Sequence, residues 1–177
     1  MSTMNVLLAG FGGQGILFAG KVMAYSALVE GKQLSWLPSY GPEMRGGTCN
    51  CSVVISDKSI GSPQVTQPDI LIAMNRPSLD KFVDSVVPGG MIIMDSSTID
   101  VDVERKDIKV FKVPATKLAD ESGLKGLANI ILVGKLFKET GFVSEANLDA
   151  GLLKCIPPKK AAMIDTNRKA LEMGREQ

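Results

Sequence analysis

Short apolar runs alternate with longer helical stripes along the chain. Residues 6–9 (VLLA) lead straight into a glycine-rich turn, and a helical pattern opens at Ile16. Residues 16–29 are apolar nearly all round, with Lys21 the only charge. Such a helix is buried on more than one side, either against another layer of the chain or against a partner subunit. Residues 33–37 predict a second strand. Residues 48–56 are rich in β-branched side chains and follow after a short loop, which predicts an antiparallel pairing. Cys49, Cys51 and Val53 then share one face, and Asn50 and Ser52 the other. Residues 69–74 and 91–95 are continuous apolar runs, the pattern of central parallel strands. Residues 108–113 alternate. Helices are predicted over 79–86 (capped by Ser78), about 117–122, 126–140, 144–155 and 158–173, with the tail from Gly174 fraying. This succession predicts a single α/β domain over residues 1–177 with a mostly parallel sheet.

The turn is Gly10-Phe11-Gly12-Gly13-Gln14-Gly15, a G-x-G-x-x-G spacing between a strand and a helix. Glycines allow a sharp turn and close approach of another group. The free N–H groups and dipole of the following helix favour an anion such as a phosphate. The alternative is that the glycines only let strand and helix pack closely. An ordinary dinucleotide site also carries an acid at the end of the second strand, to hold the ribose. Here that strand runs into Pro38-Ser39-Tyr40, with no acid. The pattern therefore speaks against an ordinary NAD site.

Composition narrows the chemistry. The chain has 177 residues, 45% of them hydrophobic, enough for a sizeable core. Lys+Arg is 20 and Asp+Glu is 19, a net charge of +1, and aromatics are 5%. No basic run suggests nucleic acid. There is no histidine, so this chain cannot build a Ser–His or Cys–His nucleophile pair. Its three cysteines, Cys49, Cys51 and Cys155, form no C-x-x-C, and read as small, reduced, buried residues rather than metal or cluster ligands. The N-terminal residues lack the pattern of a signal peptide and no apolar stretch is long enough to cross a membrane, so a soluble, cytoplasmic protein is expected.

Two further segments carry candidate chemistry. Residues 39–47 (SYGPEMRGG) combine a Gly-Pro turn with Glu43, Arg45 and a Gly46-Gly47 pair. Arg45 offers a planar, permanently charged fork for a carboxylate or phosphate. The plainer reading is a Glu43–Arg45 ion pair pinning a surface loop. Residues 74–76, with Asn75 and Arg76, end a predicted parallel strand, where open α/β sheets bind ligands. They also suit a simple helix-entry turn. Asn129 falls in the apolar half of a predicted helix and is expected to be buried on a backbone partner.

Three stretches taken together resemble a known family: Gly10 to Gly15, then Ser39-Tyr40-Gly41-Pro42-Glu43-Met44-Arg45-Gly46-Gly47-Thr48, then Ile72-Ala73-Met74-Asn75-Arg76-Pro77. In order and spacing they are similar to the gamma subunit of 2-oxoacid:ferredoxin oxidoreductases. The resemblance implies a Rossmann-like, mostly parallel sheet with helices on both faces and a short antiparallel strand pair. It implies a helper subunit of an enzyme that oxidatively decarboxylates a 2-oxoacid, best matched to 2-oxoglutarate, and passes electrons to ferredoxin. Thiamine diphosphate and iron–sulfur clusters would sit in alpha, beta and ferredoxin-like delta subunits, with a homodimer contact also conceivable. This chain would supply no catalytic residue and no metal ligand. Gly10, Gly12, Gly13, Gln14, Gly15, Tyr40, Glu43, Arg45, Gly46, Gly47 and Asn75 would form a surface toward coenzyme A or the partner subunits. The rival readings are a free-standing nucleotide-binding protein of NAD type and a purely structural assembly module.

Overall fold

The computed structural model describes residues 3–39 and 48–177. Among the described residues, six strands form one sheet in the order β2-β3-β1-β4-β5-β6. β1 (Thr3–Phe11), β4 (Ile70–Ala73), β5 (Met91–Asp95) and β6 (Lys109–Val113) run parallel to one another. β3 (Thr48–Ser56) is antiparallel to β1 from Thr3↔Ser56 to Phe11↔Thr48. It is also antiparallel to β2 (Gln33–Ser39), from Gln33↔Ser56 to Ser39↔Asn50. The α/β class and the antiparallel element are as the sequence predicts. The predicted β2–β3 pair is present, and the antiparallel element extends beyond it to β1. β3 is inserted between β1 and β2 and paired along its length on both sides.

Alternation along the strands divides the core. Met4, Val6 and Leu8 of β1, with Cys51, Val53 and Ile55 of β3, face one side. Leu7 and Ala9, with Val54, Leu71, Ala73, Ile92 and Met94, face the other. The first side carries α1 (Ile16–Val29), α3 (Ala115–Glu121), α4 (Ala128–Thr140), α5 (Glu145–Cys155) and α6 (Met163–Glu176). The second side carries one short helix, α2 (Arg76–Phe82), with extended segments packed around it. Helices do lie on both faces, but lopsidedly.

The apolar helix 16–29 finds a second layer within the chain. α1 buries Ile16, Ala19, Val22, Met23 and Ala27 and is sandwiched between the sheet and α5. Glu30, at the end of α1, ties this layer down. Its carboxylate accepts from the Ser144 N–H at 2.9 Å, the Ser144 hydroxyl at 2.9 Å and Asn147 Nδ2 at 2.6 Å. Ser144 sits at the N-cap of α5 but makes no side-chain cap of its own; its hydroxyl bonds Glu30 instead.

Several boundaries move. α2 begins at Arg76, not Leu79, because Asn75 rather than Ser78 caps it. Residues 158–160 form a 3-10 turn before α6 starts at Met163. The tail does not fray. α6 continues to Glu176, and the Gln177 carbonyl accepts from Lys135 Nζ at 3.0 Å. Lys135 also meets Glu139 at 2.7 Å and stands 4.3 Å from the Phe111 ring centre. α6 and α4 meet backbone to backbone. A Cβ on Gly134 would strike the Leu171 carbonyl, and one on Gly174 the Ile131 carbonyl.

Neither helix backbone can shift without opening that interface. Gly134→Ala is therefore expected to destabilise the fold by about 1–3 kcal/mol or more, read as a lowered Tm. The hydrogen bond from the Ser144 N–H, then that from Asn147, holds the Glu30 carboxyl below its ordinary 4.5. Its contribution to stability is complete above pH 4.5 and is lost as pH falls through the lower folded-state value. Glu30→Gln should lower Tm at neutral pH and flatten that acid limb, as read by thermal melts across a pH series.

Candidate functional site

The glycine turn sits at the carboxyl end of the sheet, as its strand-to-helix position requires. Gln14 organises it. The Gln14 N–H closes the turn on the Phe11 carbonyl at 3.2 Å. The side chain folds back over the turn: Oε1 accepts from the Phe11 N–H at 2.6 Å and from Asn75 Nδ2 at 3.2 Å. Nε2 donates to the Met74 carbonyl at 2.9 Å. That carbonyl also accepts from the Thr98 hydroxyl at 2.9 Å. Asn75, 3% exposed, uses Oδ1 to accept from the Ser78 N–H at 2.9 Å, capping α2. Both readings of Asn75 therefore hold: it makes the helix-entry turn, and it is joined to the glycine turn.

The glycines divide by role. A Cβ on Gly10 would lie 2.6 Å from Gln14 Oε1 and 2.8 Å from Ile16 Cδ1. A Cβ on Gly15, whose φ is +75°, would lie 2.5 Å from Asn129 Nδ2. Asn129 is buried on a backbone partner as expected, donating to the Gly15 carbonyl at 2.9 Å. Gly10 and Gly15 are thus explained by packing inside the chain. Gly12 is half-buried in the turn. Gly13 is different: it is exposed, its φ is +101°, and nothing lies within 4 Å of its Cβ position. Among the described residues no side chain caps α1, so with respect to them its first-turn N–H groups remain for water or an anion.

Two clefts flank the turn. One, of about 260 Å³, lies over the ends of the parallel strands and is lined by Gly13, Gln14, Met74, Thr98, Thr116 and Asp120. The other, of about 340 Å³, lies between Gly15, Phe18, Leu127, Asn129, Ile156 and Lys160. One wall of the first cleft depends on a buried acid behind it. Asp95, fully buried at the end of β5, accepts from the Ser97 N–H at 3.1 Å. It also accepts from the Thr116 N–H at 3.2 Å and the Thr116 hydroxyl at 2.5 Å. These bonds fix the β6–α3 wall of the cleft. An acid closing an otherwise apolar strand was the available signal, because a buried carboxylate needs such partners.

Tyr40, Glu43, Arg45, Gly46 and Gly47 lie outside the described residues. The residues flanking them are informative. Ser39 ends β2, and Thr48 pairs with Phe11 at the glycine turn itself. The insertion of β3 also bears on the NAD reading. β2 is two strands from β1, about 10 Å rather than about 5 Å away. An acid at its end would not sit beside the glycine turn in the ordinary way. The thiols offer no nucleophile. Burial pushes Cys51 up to about 12 and Cys155 up to about 11, and all three cysteines are free and buried. Among the described residues, no three of the acids and cysteines cluster as metal ligands do, and no helix is long and apolar enough to cross a membrane.

The family model for pyruvate ferredoxin/flavodoxin oxidoreductase matches residues 5–177. The chain belongs to that family. Within it, the chain is 42% identical over 175 residues to the ketoisovalerate oxidoreductase subunit VorA of Methanothermobacter thermautotrophicus, covering 98% of this chain and 36% of VorA. The chain thus spans about a third of that relative's length. It is 38% identical over 179 residues to the 2-oxoglutarate synthase subunit KorC of Methanothermobacter marburgensis, covering 97% and 95% of the two chains. The fold matches the gamma subunit of a keto/oxoacid ferredoxin oxidoreductase from Geobacter sulfurreducens, with a TM-score of 0.83, 31% identity and 98% and 96% coverage. It also matches 99% of this chain to 31% of a Magnetococcus marinus 2-oxoglutarate:ferredoxin oxidoreductase chain, with a TM-score of 0.88 and 21% identity. That structure holds 2-oxoglutarate, coenzyme A and succinyl-CoA.

Within this family fold, the Gln14 clasp predicts its own test. Gln14→Ala should leave the Phe11 N–H and Asn75 Nδ2 without their acceptor and cost about 1–3 kcal/mol. Hydrogen exchange should accelerate at residues 11–15 and 74–78 together, and not in α6.

Proposed function

We propose that the chain is the gamma-type subunit of a 2-oxoacid:ferredoxin oxidoreductase. It would help convert a 2-oxoacid to its acyl-CoA while other subunits carry out the redox chemistry. The observation that carries this reading is the end-to-end match to a gamma subunit, combined with a glycine turn clasped to Asn75 and left open at Gly13. The chain's own donors do not fit thiamine diphosphate chemistry or a cluster. It has no histidine, and its thiols are buried and strongly protonated. In this reading those groups are carried by the alpha, beta and delta partners.

Coenzyme A is the ligand we assign to the open side of the turn. Its phosphates suit the uncapped start of α1, and coenzyme A is bound in the Magnetococcus neighbour. In this assignment Gly13 and the first-turn N–H groups hold it, and Gln14 and Asn75 hold the turn. Tyr40, Glu43, Arg45, Gly46 and Gly47 would belong to the same surface, because Thr48, where their segment re-enters the sheet, pairs with Phe11. The substrate we favour is 2-oxoglutarate, from the Ser39 to Glu43 form and from the near-complete match to KorC as a separate chain. The higher identity to VorA favours a branched-chain 2-oxoacid as the second reading. The NAD reading is disfavoured by the strand that separates β2 from β1.

Affinity purification of the chain from its own cells tests this. Thiamine- and cluster-bearing chains should co-elute with 2-oxoacid:acceptor activity highest on 2-oxoglutarate. In that complex, coenzyme A should slow hydrogen exchange at residues 12–18. A chain that elutes alone and binds NAD(H) would overturn the proposal, and unchanged exchange at the turn would remove its coenzyme A part.

A further inference from the structure

The sheet edge opposite β6 is open in an unusual way. β2 ends the strand order, and among the described residues nothing pairs with its outer side. Natural edge strands are protected by charges, bulges or proline, because a bare edge recruits other strands. β2 reads Gln33-Leu34-Ser35-Trp36-Leu37-Pro38-Ser39 and contains no charge. Pro38 is its one protecting feature, near the end. The edge is flanked by clefts on both faces. On the α1 side, Leu34, Trp36, Tyr25 and Leu28 line one of about 350 Å³. On the other side, Leu37, Pro38, Ser39 and Phe82 border one of about 620 Å³. Leu28 and Leu37 are 54% and 41% exposed. A strand laid along β2 would drop alternate side chains into the two clefts.

Charge says what kind of strand. Among the described residues each cleft includes one lysine, Lys21 in the first and Lys81 in the second, and neither includes a carboxylate. Among the described residues neither lysine has an acidic partner; Lys21 rests over Tyr25 and Lys81 over Phe82. A second copy offers β2 again, and β2 has no acid to meet these lysines. We propose that β2 is a docking edge, to which an extended apolar segment of a partner chain, carrying Asp or Glu, adds as a further strand. The partner is a chain of the complex, so this rests on the subunit reading above.

The test compares hydrogen exchange of the isolated chain and of the complex purified from its own cells, read at residues 33–39. The proposal expects exchange there at least about tenfold slower in the complex. It also expects Leu37→Lys, a change at an exposed position, to leave Tm within a few degrees of the parent while reducing partner retention about tenfold or more. A complex that forms with unchanged exchange at 33–39 overturns the docking edge and leaves the subunit reading standing. Failure of any thiamine- or cluster-bearing chain to co-purify overturns both. An isolated chain that is dimeric by light scattering, with 33–39 protected and Leu37→Lys monomeric, assigns the edge to a second copy and overturns the proposal.

Discussion

Much of the molecule follows from one pairing, β3 running antiparallel between β1 and β2. A parallel strand in that place needs a long crossover, whereas an antiparallel one needs only a loop. The insertion has three consequences. It separates β2 from the glycine turn by an extra strand, which dismantles the usual ribose corner. It brings Thr48 alongside Phe11, so that the chain re-enters the sheet at the turn. It leaves β2 as an uncharged edge with a cleft on each face.

The second constraint is the clasp at the carboxyl edge. A glycine turn has little conformational stiffness of its own, and ordering it costs backbone entropy. Gln14 supplies the stiffness from inside the motif by bonding the turn to Met74 and Asn75 at the end of β4. Thr98 and Asp95 extend the same hydrogen-bonded set to the β5 and β6 ends. Three successive strand ends are thereby locked in one polar layer, while Gly13 stays open above it. In the proposed reading, that open side is where a ligand or a partner is held.

The sequence made some of this plain and hid the rest for physical reasons. Element identity was legible because period-2 and helical patterns are strong here: β1, α1, β3 and β5 fall where the apolar runs put them. The role of Asn129 was also legible, since an amide within an apolar helical stripe must find a partner. The start of α2 was missed by three residues because two neighbouring polar residues, Asn75 and Ser78, could each cap it. In the sequence Gln14 reads as one more member of the glycine motif, because its partners Met74 and Asn75 lie 60 and 61 residues away. Asp95 was hidden for the same reason. The order β2-β3-β1 was beyond reach, since a short loop predicts that β2 and β3 pair but not that β1 takes the far side of β3.

The central claim is that this chain is a working part of a 2-oxoacid:ferredoxin oxidoreductase. The most direct measurement is 2-oxoacid- and coenzyme A-dependent reduction of ferredoxin by the partner subunits, assayed without the chain and after adding it back. The account predicts that activity is low without the chain and recovers in proportion to the amount added until it saturates. Full activity without the chain, unchanged by its addition, would contradict it.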